Sequence, residues 1–165
     1  MAHELIYRKA TLGDLHRIVE LLVEDDELGT AREHVSAHID PRYVEAFEKI
    51  DADPQQYLMV AESDGKVIGT CHLTVMHSLT FTGATRLQIE AVRVAASMRG
   101  QGIGEKMIEE AIAYGKSKGA SIIQLSTNKK RTRAKQFYER LGFEASHEGM
   151  KLISTNPIVM KERSS

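Results

Sequence analysis

Three glycines within five positions, Gly100, Gly102 and Gly104, separate a strand-like run from a helical pattern in VRVAASMRGQGIGEKMI, residues 92–108. The chain has twelve glycines in all, so this concentration constrains the fold strongly. A strand, a glycine-rich turn and a helix together present the unpaired amides and the positive dipole end of the first helical turn. Without side chains in the turn, phosphate oxygens can approach these amides, so the pattern predicts an anion site. A turn that only lets the helix pack closely on the strand is the alternative.

Two common phosphate-binding motifs do not fit this turn. A Walker-type loop needs Gly-Lys-Ser/Thr, but Gly104 is followed by Glu105 and Lys106. A dinucleotide-binding turn needs GxGxxG, whereas the spacing here is GxGxG. Arg99 stands directly before the glycines and adds a permanent positive charge, which suits a pyrophosphate or a ribose phosphate.

The strand that precedes the turn changes its phase. Leu87 and Ile89 alternate as in a half-buried strand, but Val92 and Val94 continue in the opposite phase. One extra residue near Glu90 is typical of a β-bulge, which breaks the ladder and splays neighbouring strands. We therefore predict a splayed strand that offers backbone groups to an extended ligand. A strand buried on both faces, in which phase carries little information, is the alternative.

The remaining patterns alternate between strand and helix. Predicted strands cover residues 3–9, 57–61, 67–75, 86–94 and 121–126, with one or two more between 143 and about 160. Predicted helices begin near Thr11, at Pro41, after Gly102 and near Ala134. This order predicts one α/β domain over residues 1–165, with a mixed central sheet of about six or seven strands, splayed at the fourth and flanked by about four helices.

Charge and cysteine content restrict the functional class. The formal net charge is -1, so bulk electrostatics does not favour nucleic acid or a membrane surface as a partner. The single Cys71 excludes an intramolecular disulfide, and no apolar window approaches transmembrane length, so we expect a cytoplasmic protein. His34 and His38 share the spacing of a helical face, but no third ligand or metalloprotease motif accompanies them, so we expect no metal.

Two runs carry a resemblance to a known family. IEAVRVAASMRGQGIGEKMI resembles the cofactor motif of the GNAT N-acetyltransferase superfamily, Gln/Arg-x-x-Gly-x-Gly/Ala, which here corresponds to Arg99, Gly102 and Gly104. RAKQFYERLGFE is similar to the second signature of the family, an alanine followed by Tyr-Glu-x-x-Gly-Phe. The two motifs occur in the family's order and are separated by one strand, so the resemblance covers nearly the whole chain.

The resemblance implies that acetyl-CoA is the cosubstrate and lies in a gap between strands 86–94 and 121–126. Its pyrophosphate would lie on the amides of the glycine turn, and its pantetheine would pair with the preceding strand. The residues assigned in this way are Val92, Arg93, Val94, Arg99, Gly100, Gln101, Gly102, Ile103 and Gly104. Arg131 replaces an asparagine that many members carry seven residues before the tyrosine. Asn128 would serve instead, or Arg131 and Arg133 would meet the 3′-phosphate, and a solvated loop is the alternative.

The resemblance also implies two catalytic residues. Glu90 lies where members of the family place a carboxylate base, and it would take a proton from an ammonium whose pKa is about 10. A solvent-facing or salt-bridged glutamate is the alternative, and His147 is another candidate base. Tyr138 matches the tyrosine that protonates the departing thiolate, since a phenol with a pKa of about 10 carries its proton at neutral pH. An aromatic of the core is the alternative.

The resemblance thus implies an N-acetyltransferase that moves an acetyl group from acetyl-CoA to a primary amine by direct attack. The acceptor amine would belong to a small molecule or a protein, and the run from Glu24 to Glu27 would attract a cationic acceptor unless it is only a solubilising loop. A non-catalytic acyl-CoA-binding sensor or interaction module is the alternative class. Homodimers through the terminal strands are common in such folds, so a homodimer is an open expectation.

Overall fold

A computed structural model of the chain describes residues 4–24 and 33–154. The strands are β1 (Leu5–Lys9), β2 (Gln56–Ser63), β3 (Lys66–His77), β4 (Thr85–Val94) and β5 (Ala120–Leu125). The helices are α1 (Leu15–Glu24), α2 (Pro41–Ala52), the single turn α3 (Thr80–Gly83), α4 (Ile103–Ser117) and α5 (Thr132–Arg140). One sheet has the order β1-β2-β3-β4-β5, antiparallel except for the parallel pair β4–β5. The predicted α/β fold with a mixed sheet is confirmed.

The sheet has fewer strands than the six or seven that the sequence predicts. In the described residues it has five, because residues 143–154 form no strand. Met150 and Leu152 in this segment are 95% and 85% exposed, so they bury no apolar surface that would hold a strand on the sheet. Residues 155–160, which the predicted terminal strands also included, lie outside the described part of the chain.

The first helical segment begins with the polar residues that its sequence predicts. The Asp14 carboxylate accepts a hydrogen bond from the Thr11 N–H at 2.8 Å, which is the reciprocal half of a capping box. The Arg8 guanidinium donates to both Asp14 oxygens, at 2.7 and 3.0 Å. These bonds to Arg8 hold the pKa of Asp14 at about 2. They also join β1 to the start of the helix.

Helices cover both faces of the sheet. Consecutive residues of β3 from Val67 to Cys71 are buried, so this strand is covered on both sides. On one side, Gly115 of α4 lies so close to β4 that an added Cβ would come within 2.8 Å of Leu87 Cδ2. On the other side, α1 and α2 contact β3 and β2. The glycine therefore allows a close approach of α4 to the strand that carries the predicted site.

Candidate functional site

β4 and β5 separate part of the way along their length. Their parallel register runs from Thr85 opposite Ala120 to Ile89 opposite Leu125 and then stops. β4 continues to Val94 while it remains paired with β3 on its other side. The sheet therefore opens between β4 and β5 beyond Ile89, and the predicted splay at the fourth strand is confirmed.

A β-bulge lies where the two strands separate. His72 of β3 is opposite Glu90, and Thr70 is opposite Arg93, so β4 has two residues where β3 has one. Ala91 occupies the bulge with φ +50°, a left-handed conformation that residues with a side chain rarely adopt. The extra residue that the sequence pattern predicts near Glu90 is therefore present.

The bulge reverses the side-chain phase of β4. Before it, the side chain of Leu87 faces α4 and contacts the backbone of Gly115 closely. After it, the side chain of Val94 lies near Gly104 at the start of the same helix. An odd-numbered and an even-numbered residue of one strand thus face the same helix, which requires a slip of one residue.

The backbone groups of Val92 and Val94 point into the gap. The Ala95 N–H donates to the Ile68 carbonyl of β3 at 2.8 Å. Backbone groups of successive strand residues point to opposite sides, so those of Val94, and of Val92 two residues earlier, point away from β3. The Val92 carbonyl accepts a hydrogen bond from Nη1 of Arg93 at 2.9 Å. A ligand that pairs with this edge would donate to the Val92 carbonyl together with the Arg93 guanidinium, or would displace that guanidinium.

The loop after β4 leads into a row of amides at the start of α4. A 3-10 turn, Ala96–Met98, is followed by Arg99 and by Gly102, the N-cap of α4, which has φ +75°. The Lys106 N–H donates to the Gly102 carbonyl at 3.2 Å and is the first N–H with an acceptor inside the helix, so the three amides between these residues have no intrahelical acceptor. Their positive dipole end faces outward from the helix start.

Open space lies above these amides. A Cβ added at Gly100 or Gly102 would have no heavy atom within 4 Å. Arg99 and Gln101 are exposed beside the same turn, whereas Ile103 is buried and anchors the helix start. An amide row with a guanidinium and room above it fits the two negative charges of a pyrophosphate.

α5 packs against the start of α4 and carries the predicted acid. An added Cβ at Gly104 would lie 3.5 Å from Cζ of Phe137. Tyr138 is half-buried, with its ring edge-on to those of Phe137 and Phe143 at centroid distances of 5.1 and 5.8 Å. Tyr138 therefore packs between Phe143 and the residue through which α5 contacts the start of α4.

The basic run after β5 forms a turn before α5. Oδ1 of Asn128 accepts from the Lys130 N–H at 2.9 Å, and the Asn128 carbonyl accepts from the Arg131 N–H at 2.9 Å. Arg131 is the half-buried N-cap of α5, and Arg133 is exposed in its first turn. The side-chain oxygen of Asn128 thus stabilises its own turn. Contacts of Asn128, Arg131 and Arg133 with a cosubstrate stay predictions.

Glu90 lies exposed on the face of the sheet opposite α4. The neighbouring residue on β3 is His72, whose Nε2–H donates to Oε1 of Gln56 at 2.7 Å. Burial lowers the pKa of His72, while the nearby charge of Glu90 acts in the opposite direction. The half-buried imidazole thus forms a hydrogen bond with the neutral Gln56 and lies near the carboxylate of Glu90. Both contacts are beside the point where β4 and β5 separate.

A chain of hydrogen bonds continues along the same face. Nη1 of Arg86 donates to Oε1 of Gln124 at 3.1 Å, and Nε2 of Gln124 donates to Oε1 of Gln88 at 2.8 Å. Sequence reasoning missed this polar strip (Arg86, Gln88, Glu90, His72 and Gln124). A signal was available, because polar residues at 86, 88 and 90 alternate with the buried Leu87 and Ile89.

Other predicted candidates lie outside this arrangement. His147 is exposed and its Nδ1 pairs with Oγ of Ser146 at 2.7 Å. Asp25 to Glu27 lie outside the described residues, whereas Oε1 of Glu24 accepts from the Ala96 N–H at 2.6 Å and ties α1 to the loop. In residues 4–24 and 33–154, no three His, Cys, Asp or Glu side chains come together as a metal-ligand set. In the same ranges, no helix combines the length and apolar character that a membrane span requires.

A cavity of about 670 Å³ adjoins the 3-10 turn. It is lined by Arg17, Ser63, Asp64, Lys66, Val67, Ile68, Ala95, Ser97 and Met98. The Arg17 guanidinium donates to the Val67 carbonyl at 3.0 Å across its wall. None of the three glycines lines this cavity, so it is separate from the amide row.

Comparison with known proteins identifies the class to which this fold and site belong. Residues 15–143 match the model of the acetyltransferase (GNAT) family, so the chain belongs to that family. The chain is 34% identical over 98 residues to an aminoalkylphosphonate N-acetyltransferase of Salmonella typhimurium, covering 58% of this chain and 61% of that protein. It is 33% identical over 88 residues to a glucosamine 6-phosphate N-acetyltransferase of Trypanosoma brucei brucei, covering 53% and 58%.

A solved structure agrees over a longer range. The crystal structure of a transcriptional regulator from Bacillus halodurans C-125 is 41% identical, with a TM-score of 0.87. The match covers 92% of this chain and all of that chain. By contrast, the chain spans about three fifths of the length of the two curated relatives.

Proposed function

We propose that this protein is an N-acetyltransferase that moves an acetyl group from acetyl-CoA to a primary amine. The observation that carries the proposal is the continuity of the gap with the glycine turn. β4 leaves β5 after Ile89, turns the backbone of Val92 and Val94 into the gap, and leads directly to the open amides above Gly102. One continuous segment thus offers a pairing edge for an extended chain and a cradle for its phosphates.

This geometry supports a set of residues that would hold acetyl-CoA. Val92 and Val94 would pair with the pantetheine arm, while Arg93, whose backbone faces β3, would move its guanidinium aside from the Val92 carbonyl. The amides from Gly100 to Gly104, with Arg99 and Gln101 beside them, would hold the pyrophosphate. Asn128, Arg131 and Arg133 would contact the adenosine end, where two guanidinium groups suit a 3′-phosphate.

Two side chains would move the protons. Acetyl-CoA supplies the acetyl group as a thioester. Glu90 would accept a proton from the acceptor ammonium, directly or through water, because a carboxylate beside the site can relay it to solvent. Tyr138 would donate its phenol proton to the departing thiolate, since the ordinary pKa of a phenol, about 10, lies above that of a simple thiol, about 8.5. Tyr138 is carried by the helix that packs against the glycine turn, which supports its assignment.

The relatives support a small-molecule acceptor. The names of the Salmonella typhimurium and Trypanosoma brucei brucei enzymes each specify a small amine. Glu90 and His72 lie on the face opposite α4, so an acceptor would approach the gap from that side. A protein amine remains the alternative acceptor.

A non-catalytic acyl-CoA-binding module is the second candidate function. It is favoured by the Bacillus halodurans structure, since that protein, at 41% identity, is named a transcriptional regulator. Such a module would bind acetyl-CoA in the same gap and release no thiol.

Thiol release distinguishes the two candidates. The purified protein is incubated with acetyl-CoA and a panel of small amines, and free CoA thiol is measured with a colorimetric reagent. Amine-dependent thiol release with formation of the N-acetylated product supports the transferase. Saturable binding of acetyl-CoA by calorimetry, without thiol release for any amine or lysine peptide, supports the binding module. Absence of binding contradicts both candidates.

A further inference from the structure

Arg86 carries a charge that the described part of the protein does not balance. Arg86 is half-buried, and its guanidinium donates to Oε1 of Gln124 at 3.1 Å and to Oγ1 of Thr80 at 2.9 Å. It also lies 5.4 Å from the ring centroid of Phe81. In residues 4–24 and 33–154 these partners are all neutral, and the ion pairs of the structure do not include Arg86. A partly desolvated cation with neutral partners is a favourable place for an anion to bind.

The position of Arg86 relates this charge to the proposed reaction. Arg86, Gln88 and Glu90 alternate on one face of β4, and the bulge begins only after Glu90. A strand rises about 3.3 Å per residue, so the Cα atoms of Arg86 and Glu90 are about 13 Å apart. Gln88 lies between them, and Gln124 of β5 connects it to Arg86 by hydrogen bonds. The same strand thus presents a cation at one point and the predicted base at another.

We propose that Arg86 binds an anionic group on the acceptor, so that the acceptor is an amine that also carries a phosphonate, phosphate or carboxylate. This inference rests on the proposed N-acetyltransferase function and specifies its substrate class. The amine nitrogen lies at Glu90 and the anionic group at Arg86. After allowing for the reach of the two side chains, the distance between nitrogen and anion is roughly 6–10 Å.

The amides between the two charges extend the recognition. Oε1 of Gln88 accepts from Gln124, and within the described part of the chain no hydrogen bond uses the N–H donors of the Gln88 amide group. Such donors suit hydroxyl or ether oxygens in the middle of an acceptor. A guanidinium binds phosphonate or carboxylate oxygens in pairs, which an ammonium group does less well.

A matched series of acceptors tests this inference. ω-Aminoalkylphosphonates with chains of about two to six carbons are compared with ω-amino acids and ω-amino alcohols of equal length, with thiol release as the readout. We expect a preference for the anionic series that is largest near four to six carbons, because roughly 6–10 Å then separates nitrogen from anion. The phosphonate and carboxylate arms show which anion the site prefers. Equal kcat/KM for anions and alcohols would overturn the inference.

Variants of Arg86 locate the preference. Arg86→Gln should reduce the ratio of kcat/KM for phosphonate over alcohol by about ten- to a hundred-fold, the usual effect of losing a charge-assisted hydrogen bond. Arg86→Lys should retain part of this ratio, since it keeps the charge and loses the planar fork. Lys116→Gln, which removes an exposed cation from α4 on the other face of the sheet, should leave the ratio unchanged.

The controls separate the possible failures. If Arg86→Gln lowers the melting temperature but keeps the phosphonate-to-alcohol ratio, Arg86 only supports the β3–β4 connection and the inference is wrong. If no amine releases thiol, the proposed transferase function fails, and calorimetry with 4-aminobutylphosphonate then decides the role of Arg86. Binding that is lost in Arg86→Gln supports an anion site in a binding module, and absence of binding overturns it.

Discussion

Replacement of Gly102 by alanine tests whether the glycine turn binds the cosubstrate. Gly102 has φ +75° and no atom within 4 Å of an added Cβ, so alanine there meets no clash and only adopts a strained backbone. Gly119, after the end of α4, has φ +85° and equally open space. The two substitutions should therefore cost the same stability, about 1–2 kcal/mol each. For a chain of this size that corresponds to a fall in melting temperature of about 2–8 °C.

The two variants should differ in their affinity for acetyl-CoA. A methyl group at Gly102 occupies the space through which phosphate oxygens would reach the amides, and a hydrogen bond to a charged group contributes about 1.5–3 kcal/mol. We expect the Kd of Gly102→Ala, measured by calorimetry, to rise by about ten- to a hundred-fold. The Kd of Gly119→Ala should stay within about two-fold, because its methyl group is remote from the turn.

The result that would refute the amide cradle is specific. If both variants show the same fall in melting temperature and both keep the Kd of the unaltered protein for acetyl-CoA, the glycine turn serves only the packing of α4. If Gly119→Ala weakens acetyl-CoA binding as much as Gly102→Ala, the effect is general destabilisation. Either result would leave the glycines without a role in binding.

Three further substitutions probe catalysis and stability. Tyr138→Phe should lower kcat at least ten-fold with little change in the Kd for acetyl-CoA. Tyr114→Phe, a matched loss of a hydroxyl on α4, should leave kcat unchanged. A kcat of Tyr138→Phe equal to that of the unaltered protein would exclude Tyr138 as the acid. The pKa of Asp14, about 2 against 3.8 for the free group, gives a stabilisation that is present above pH 4 and lost towards pH 2. Asp14→Asn should thus lower the free energy of unfolding at pH 7 by about 1–2 kcal/mol and by less at pH 2, in urea titrations. Gly115→Ala places a Cβ 2.8 Å from a leucine side chain of β4 and should cost about 1–3 kcal/mol, and an unchanged melting temperature would contradict the close packing of α4.

Features that depend on neighbouring residues could be predicted from the sequence. The bulge follows from alternation, since the apolar Leu87 and Ile89 stand at odd positions and Val92 and Val94 at even ones, a change of phase that a regular strand does not allow. The start of α2 follows from Asp40, whose carboxylate accepts the Arg42 N–H at 2.8 Å. Each signal is complete within about ten residues, so no knowledge of tertiary structure is needed to interpret it.

Features that depend on residues far apart in the sequence could not be predicted from it. The bond between Arg86 and Gln124 requires the parallel register of β4 and β5, and the bond from Ala96 to Glu24 joins residues 72 positions apart. The predicted terminal strands were wrong for the described residues because short apolar runs indicate a strand only when a sheet edge accepts them. Contacts of Glu90 and Tyr138 with substrates stay predictions, since both ligands are required to form them.

The bulge at Ala91 divides β4 into two parts that can change independently. Up to Glu90 the strand contributes side chains to the face opposite α4, so their identity determines what that face can recognise. From Val92 onwards it contributes main-chain groups to the gap, and these are the same for every residue except proline, which has no N–H. In the proposed enzyme, substitutions at positions 86 and 88 would alter the choice of acceptor without removing a hydrogen bond to the donor. In that enzyme the acceptor could therefore change while the cosubstrate stays the same.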